Sequence, residues 1–173
     1  MNDTKQIVKR LLRQLKITFP PIPVENIANH LGVKIEEAIL DGEISGFLYK
    51  KKKNGQAVIA VNALHSRHSY RRKRFTIAHE LGHLILKHHG EFFVDRKLFR
   101  DSISKQGTDK IERDANQFAA ELLMPELMIR AQFKETPVQD VDDPESLKLL
   151  ADRFEVSVQA MTIRLANLGL VSL

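Results

Sequence analysis

The residues with the plainest chemical purpose are His79-Glu80-Leu81-Gly82-His83. On a helix, positions i and i+4 differ by about 40° and one turn, so both imidazoles point to one spot. Two such rings can bind one zinc ion at about 2.0–2.1 Å. The glutamate beside the first histidine then faces the remaining coordination position and can take a proton from a water there. A catalytic zinc needs a third protein ligand and one open position. The chain contains no cysteine, so that ligand must be nitrogen or oxygen. Glu112 and Asn116 share a face of the next long helical stretch. Glu112 is placed to be the oxygen ligand, and Asn116, one turn on, to orient a histidine ring. Asp114 lies about 200° round that helix from Glu112 and would face away. The plainer alternative is two satisfied histidines on a buried helix with an exposed glutamate, and Glu112 as an ordinary acid near a helix N-terminus. His88 and His89 are rival ligands by composition, but they lie at the expected helix end near Gly90 and read as surface.

The elements that must hold these groups follow from periodicity. Ile7, Val8, Leu11, Leu12 and Leu15 predict an amphipathic helix over 4–16, stopped by Pro20, Pro21 and Pro23. Val24 to Leu31 reads as a short helix closed by Gly32. Three strand-like runs come next, Val33 to Leu40, Gly46 to Tyr49 and Ala57 to Val61, with Asn54-Gly55 as a hairpin turn between the last two. From about Arg67 to Lys87 the period turns helical and apolar nearly all round. Residues 91–108 read as irregular, with Gly107 and Thr108 as punctuation. Helices are expected over Ile111 to Met124 and Glu126 to Lys134, and Pro137 to Pro144 is the best linker. The tail, Glu145 to Leu173, holds two helices around Val156-Ser157, the layout of a helix-turn-helix. The expected fold class is therefore α+β: a helical core, a small three-stranded antiparallel sheet and a helix-turn-helix-like tail. The expected domains are 1–136 and 137–173, the second packed on the first.

Composition excludes several classes. The 173 residues are 43% hydrophobic and 28% charged, which suits an ordered globular chain. The longest uncharged stretch, residues 54–66, is too short to span a membrane, and the N-terminus lacks the apolar region of a secretory signal. No membrane association and a cytoplasmic location are expected. The net charge is +5, concentrated between Ile44 and Arg74, which holds Lys50, Lys51, Lys52, Lys53, Arg67, Arg71, Arg72, Lys73 and Arg74 and no acid. Such a field attracts acidic or nucleic-acid partners, or is simply a solvated turn and helix start.

Arg74 to His83, followed by Glu112-Arg113-Asp114-Ala115-Asn116-Gln117-Phe118-Ala119-Ala120-Glu121-Leu122-Leu123-Met124-Pro125, resembles the ImmA/IrrE family of zinc metallopeptidases. Ile44-Ser45-Gly46-Phe47, Val61-Asn62 and Arg153-Phe154-Glu155-Val156-Ser157 resemble it too, so the likeness covers nearly the whole chain. A mild departure is Asp114, where the family often has Glu. The resemblance implies a zinc ion on His79, His83 and Glu112, with Glu80 as general base in peptide-bond hydrolysis, as in thermolysin-like enzymes. It also implies a partner, a helix-turn-helix (Xre-type) repressor cleaved in a phage, mobile-element or stress-response system. An oxyanion donor is left open among Tyr70, His88 and His89. Two rival readings share much of this evidence: a toxin- or antirepressor-type partner that binds a repressor without cutting it, and a DNA-binding regulator whose metal site is idle. Two finer expectations complete the reading. Ala57 to Val61 is expected to be an edge strand that pairs with extended substrate. The tail is expected to dock protein, with only indirect or weak DNA contact, because residues 143–173 hold three basic and four acidic side chains and the start of the second tail helix offers one base reader, Gln159.

Overall fold

Prolines, glycines and capping side chains set the element boundaries in the computed structural model, which describes residues 3–51, 55–86, 92–96, 105–136 and 143–172. In chain order the elements are α1 (Asp3–Gln14), α2 (Val24–His30), β1 (Lys34–Ala38), β2 (Ile44–Lys50), β3 (Ala57–Asn62), α3 (Ala63–His68), α4 (Tyr70–Ile85), β4 (Phe92–Arg96), α5 (Lys105–Leu123), α6 (Glu126–Glu135), α7 (Pro144–Phe154) and α8 (Val158–Asn167). Gly32 follows α2 at φ +72°, the left-handed conformation that ends a helix without a Cβ penalty. Among the described residues no helix is long and apolar enough to cross a membrane.

The described residues form two compact units, Pro23–Ala119 and Met1–Ile22 together with Ala120–Leu173. The first, called the site unit below, contains the sheet. The second, the helical unit, contains only helices. This division differs from an expected boundary at residue 137: it groups the opening helix with the tail and falls inside α5. Sequence-distant packing decides it, for Arg164 of α8 bonds the Met124 carbonyl and Glu121, and Lys5 of α1 pairs with Glu126 of α6.

The α+β class holds, but the sheet corrects the expected three antiparallel strands. It has four strands in the order β1-β3-β2-β4. β2 and β3 pair antiparallel, while β1 joins the far side of β3 in parallel, from Lys34 opposite Val58 to Ala38 opposite Asn62. The cause is burial. Val58, Ile59, Ala60 and Val61 are all nearly inaccessible, and a strand covered on both faces belongs at the centre of a sheet. β3 is thus paired on both sides, which overturns the expectation that Ala57 to Val61 is an edge open to substrate. β4 lies within the stretch expected to be irregular; its apolar run, Phe92-Phe93-Val94, is shorter than a strand signal needs.

Two helix starts also differ. The helix expected from Arg67 is two helices: Asn62 caps α3 by accepting from the Leu64 amide, and Ser69 caps α4 by accepting from the Arg72 amide. α5 begins at Lys105 and runs through Gly107 and Thr108, so neither is the break expected of it. Asn54 and most of the proposed 137–144 linker lie outside the described residues, while Pro144 opens α7.

Candidate metal centre

Helix α4 is held against β2 and β3 on one side and against α5 on another, and glycine sets both distances. A Cβ on Gly46 would stand 2.5 Å from Thr76 Cγ2 and 2.7 Å from the Ala60 carbonyl oxygen. A side chain there would lift α4 from the sheet. A Cβ on Gly82 would stand 3.2 Å from Ala115 Cα and O and from Phe118 Cβ, so α4 and α5 approach closely where the site is built. Asn62 fixes the preceding loop: its amide donates to the carbonyls of Leu40, Asp41 and Ile44 at 3.3, 3.1 and 2.8 Å. Arg72 donates to Ser45 Oγ at 2.9 Å, tying the start of α4 to β2. The Ile44-Ser45-Gly46-Phe47 and Val61-Asn62 segments, noted above only for their resemblance, therefore have a physical task in seating α4.

Within this frame His79, His83 and Glu112 bring one ligand atom each to within 4.8 Å of one another. The separations are 3.0 Å between the two Nε2 atoms, 3.2 Å from His79 Nε2 to Glu112 Oε2 and 3.5 Å from His83 Nε2 to Glu112 Oε1. Tetrahedral metal bonds of about 2.0–2.2 Å place donor atoms about 3.3–3.6 Å apart; the three separations lie within that range or up to about 0.3 Å short of it, so the set suits a metal ion. Electron-rich atoms facing each other this closely are what a shared cation stabilises. His79 Nδ1 lies 3.0 Å from Asn116 Oδ1; with Nδ1 as donor, the Nε2 lone pair is left for a metal. The histidine side chains are 5% and 1% exposed and that of Glu112 is 37% exposed, so the group is walled by protein and opens on its carboxylate side.

Glu80 is fully buried on the same helix, about 60° round from His83. Tyr70, one of three oxyanion donors left open, begins α4 about 13 Å along the axis from His79, with Arg74 over its ring at 5.7 Å. His88 and His89 lie outside the described residues, as do Lys52 and Lys53 of the basic run. Of the rest of that run, Lys51 and Lys73 are compensated by carboxylates. Lys51 pairs with Glu36 at 3.0 Å, Lys73 with Glu25 and Glu37 at 3.1 Å each, and Arg74 is buried. Burial works against the Lys73 charge, but Glu37 and Glu25 outweigh it and raise its pKa above the usual lysine value. In the tail, Val158 and Gln159 are exposed, whereas Met161 is fully buried.

Residues 28–166 match the peptidase family described as the IrrE N-terminal-like domain. Immunity region protein 2 of Bacillus phage phi105, itself uncharacterized, is 31% identical over 134 residues, which cover 76% of this chain and 74% of that protein. A solved structure of a Mycobacterium tuberculosis transcriptional regulator matches with a TM-score of 0.64 at 15% identity, over 96% of this chain. The chain spans about half the length of that protein (47%), and at this identity the likeness concerns the α+β fold alone. The family match runs from within α2 to the end of α8 and so takes in the His79–Glu112 group and the tail helices alike. The chain belongs to the family of IrrE N-terminal-like peptidase domains.

Proposed function

We propose that this protein is a cytoplasmic zinc endopeptidase that cleaves a helix-turn-helix repressor of an immunity or mobile-element system. One observation carries the reading: two buried imidazoles and a carboxylate converge at 3.0–3.5 Å beside a buried glutamate, in a chain of a peptidase family. In this reading His79, His83 and Glu112 hold the metal, and Asn116 keeps the His79 ring in one orientation. When bound, zinc supplies a Lewis acid that acidifies water and polarises a peptide carbonyl. Glu80 takes the proton from the attacking water and delivers it to the leaving amine; its burial keeps bulk water from competing for that proton. The place of the phage relative in an immunity region supports a repressor as the substrate. The absence of cysteine fits a reduced compartment, where such a repressor works.

The test mixes zinc-loaded protein with the repressor encoded beside it and looks for fragments by mass spectrometry. Fragments are expected from the native chain and not from Glu80→Gln, which keeps its zinc. A stable complex without fragments would favour the non-cleaving partner instead. The succession of α7 and α8 across the short Glu155-Val156-Ser157 connection gives the regulator reading its footing. Operator-selective binding that Gln159→Ala relaxes would promote it.

A further inference from the structure

A groove of about 470 Å³ lies in the helical unit, between α1, the Ile17-Thr18 segment and the start of α6. Its accessible apolar lining is Ile17, Leu127 and Met128, above the buried Val8 and Leu12. Leu127 is 68% exposed, a large apolar side chain left outside while Ile129 of the same helix is fully buried. Along one rim, Lys5, Lys9 and Arg13 recur every four residues and form a single stripe on α1. The two groove carboxylates are already engaged. Glu126 holds Lys5 and Arg130, and Glu121 holds Arg164 and accepts from the Glu126 amide. Among the described residues, Lys9 and Arg13 form no ion pair. The groove thus offers an apolar floor beside two uncompensated cations one helical turn apart.

We propose that this groove docks an acidic amphipathic segment of a partner protein, with two carboxylates one turn apart meeting Lys9 and Arg13. Its apolar side chains cover Leu127 and Met128. The site is separate from the His79–Glu112 group in sequence and in chemistry, and it does not depend on the peptidase reading. A membrane surface fits less well, because the apolar face of α1 is spent within the unit: Val8, Leu11 and Leu12 are 1%, 8% and 6% exposed. A nucleic-acid backbone would find two cations and a floor with nothing for phosphate.

The experiment uses the full chain and a fluorescent helical peptide of about 14 residues, with leucines at i, i+3 and i+7 flanked by glutamates. A control peptide carries lysine at every glutamate. Fluorescence anisotropy should show binding of the acidic peptide only, weakening as NaCl rises from about 0.05 to about 0.5 M. The Lys9→Glu/Arg13→Glu variant should bind about tenfold less tightly, and Leu127→Asp similarly, both with unchanged circular dichroism. Equal binding of the two peptides, no effect of either variant, or no binding of the acidic peptide would overturn the proposal. So would a dimer in analytical ultracentrifugation that Leu127→Asp abolishes, or binding to vesicles of phosphatidylglycerol and phosphatidylcholine that is stronger than to peptide.

Discussion

Helix α4 of the site unit buries Arg74, Thr76, His79, Glu80 and His83 together with Ile77, Ala78, Leu81 and Gly82. The pair α7 and α8 of the helical unit buries only Leu147, Leu150, Ala151, Phe154, Met161 and Leu165. In α7 and α8 the helix starts follow the capping rules, although Glu155 closes α7 in the left-handed conformation at φ +52°. Asp143 and Ser157 cap the two helices by accepting from the Ser146 and Ala160 amides, and Pro144 occupies the first turn of α7. In α4 the rules conflict, since buried ionisable groups cost stability unless something compensates them. A fold retains such a conflict where it does chemistry, and resolves it elsewhere. The contrast separates a region built for a site from one built for a core.

The largest effect should come from the core region. Phe154→Ala removes a fully buried ring and should cost about 3–5 kcal/mol in denaturant unfolding. Metal affinity, measured below the unfolding transition, should stay unchanged. Gly82→Ala comes next. Alanine favours a helix, but here its Cβ meets α5 backbone at 3.2 Å, so a net loss of about 1–2 kcal/mol is expected, with weaker metal binding because Glu112 moves away with α5. A raised melting temperature with unchanged metal affinity would show that α5 gives way freely.

Asn116→Ala should leave stability nearly untouched and lower metal affinity about 10–100-fold, measured by competition with a chromophoric chelator. A loss of stability without a change in affinity would make the Asn116–His79 bond a tie between α5 and α4 and not a support for the metal. The smallest effect is acid titration, where each unit carries a depressed carboxyl among its described residues. Lys34 and then Lys51 bring Glu36 down to about 2, and Lys5 and then Arg130 bring Glu126 down to about 2, from an ordinary 4.5. Folded values below unfolded ones mean that the stabilisation is full above about pH 4.5 and is lost as pH falls toward about 2. Melting temperature should therefore be flat from neutral pH to about 5 and decline below it, less steeply in Glu36→Gln and Glu126→Gln.

The candidate site was legible because its signals are local. His79, Glu80 and His83 lie within two helical turns, and Glu112 and Asn116 share one face, so 3.6-residue geometry was enough to group them. What escaped was long-range. The parallel pairing of β1 with β3 depends on which strand is buried on both faces, and the grouping of residues 1–22 with 120–173 depends on contacts more than a hundred residues apart. Phe92-Phe93-Val94 was too short to read as β4. Asn62 could have been found: an asparagine directly after an apolar strand and before a helical pattern is a capping signal. The role of Gly46 could not, since only the neighbouring Thr76 and Ala60 show why a side chain is excluded.

The central claim is that His79, His83 and Glu112 hold one metal ion beside a glutamate that does not bind it. Metal content by inductively coupled plasma mass spectrometry, on native chain, His79→Ala, Glu112→Gln and Glu80→Gln purified identically, tests it most directly. One zinc per chain is expected in the native protein and in Glu80→Gln, with little in the other two. Equal zinc in all four, or its loss from Glu80→Gln, would contradict the assignment.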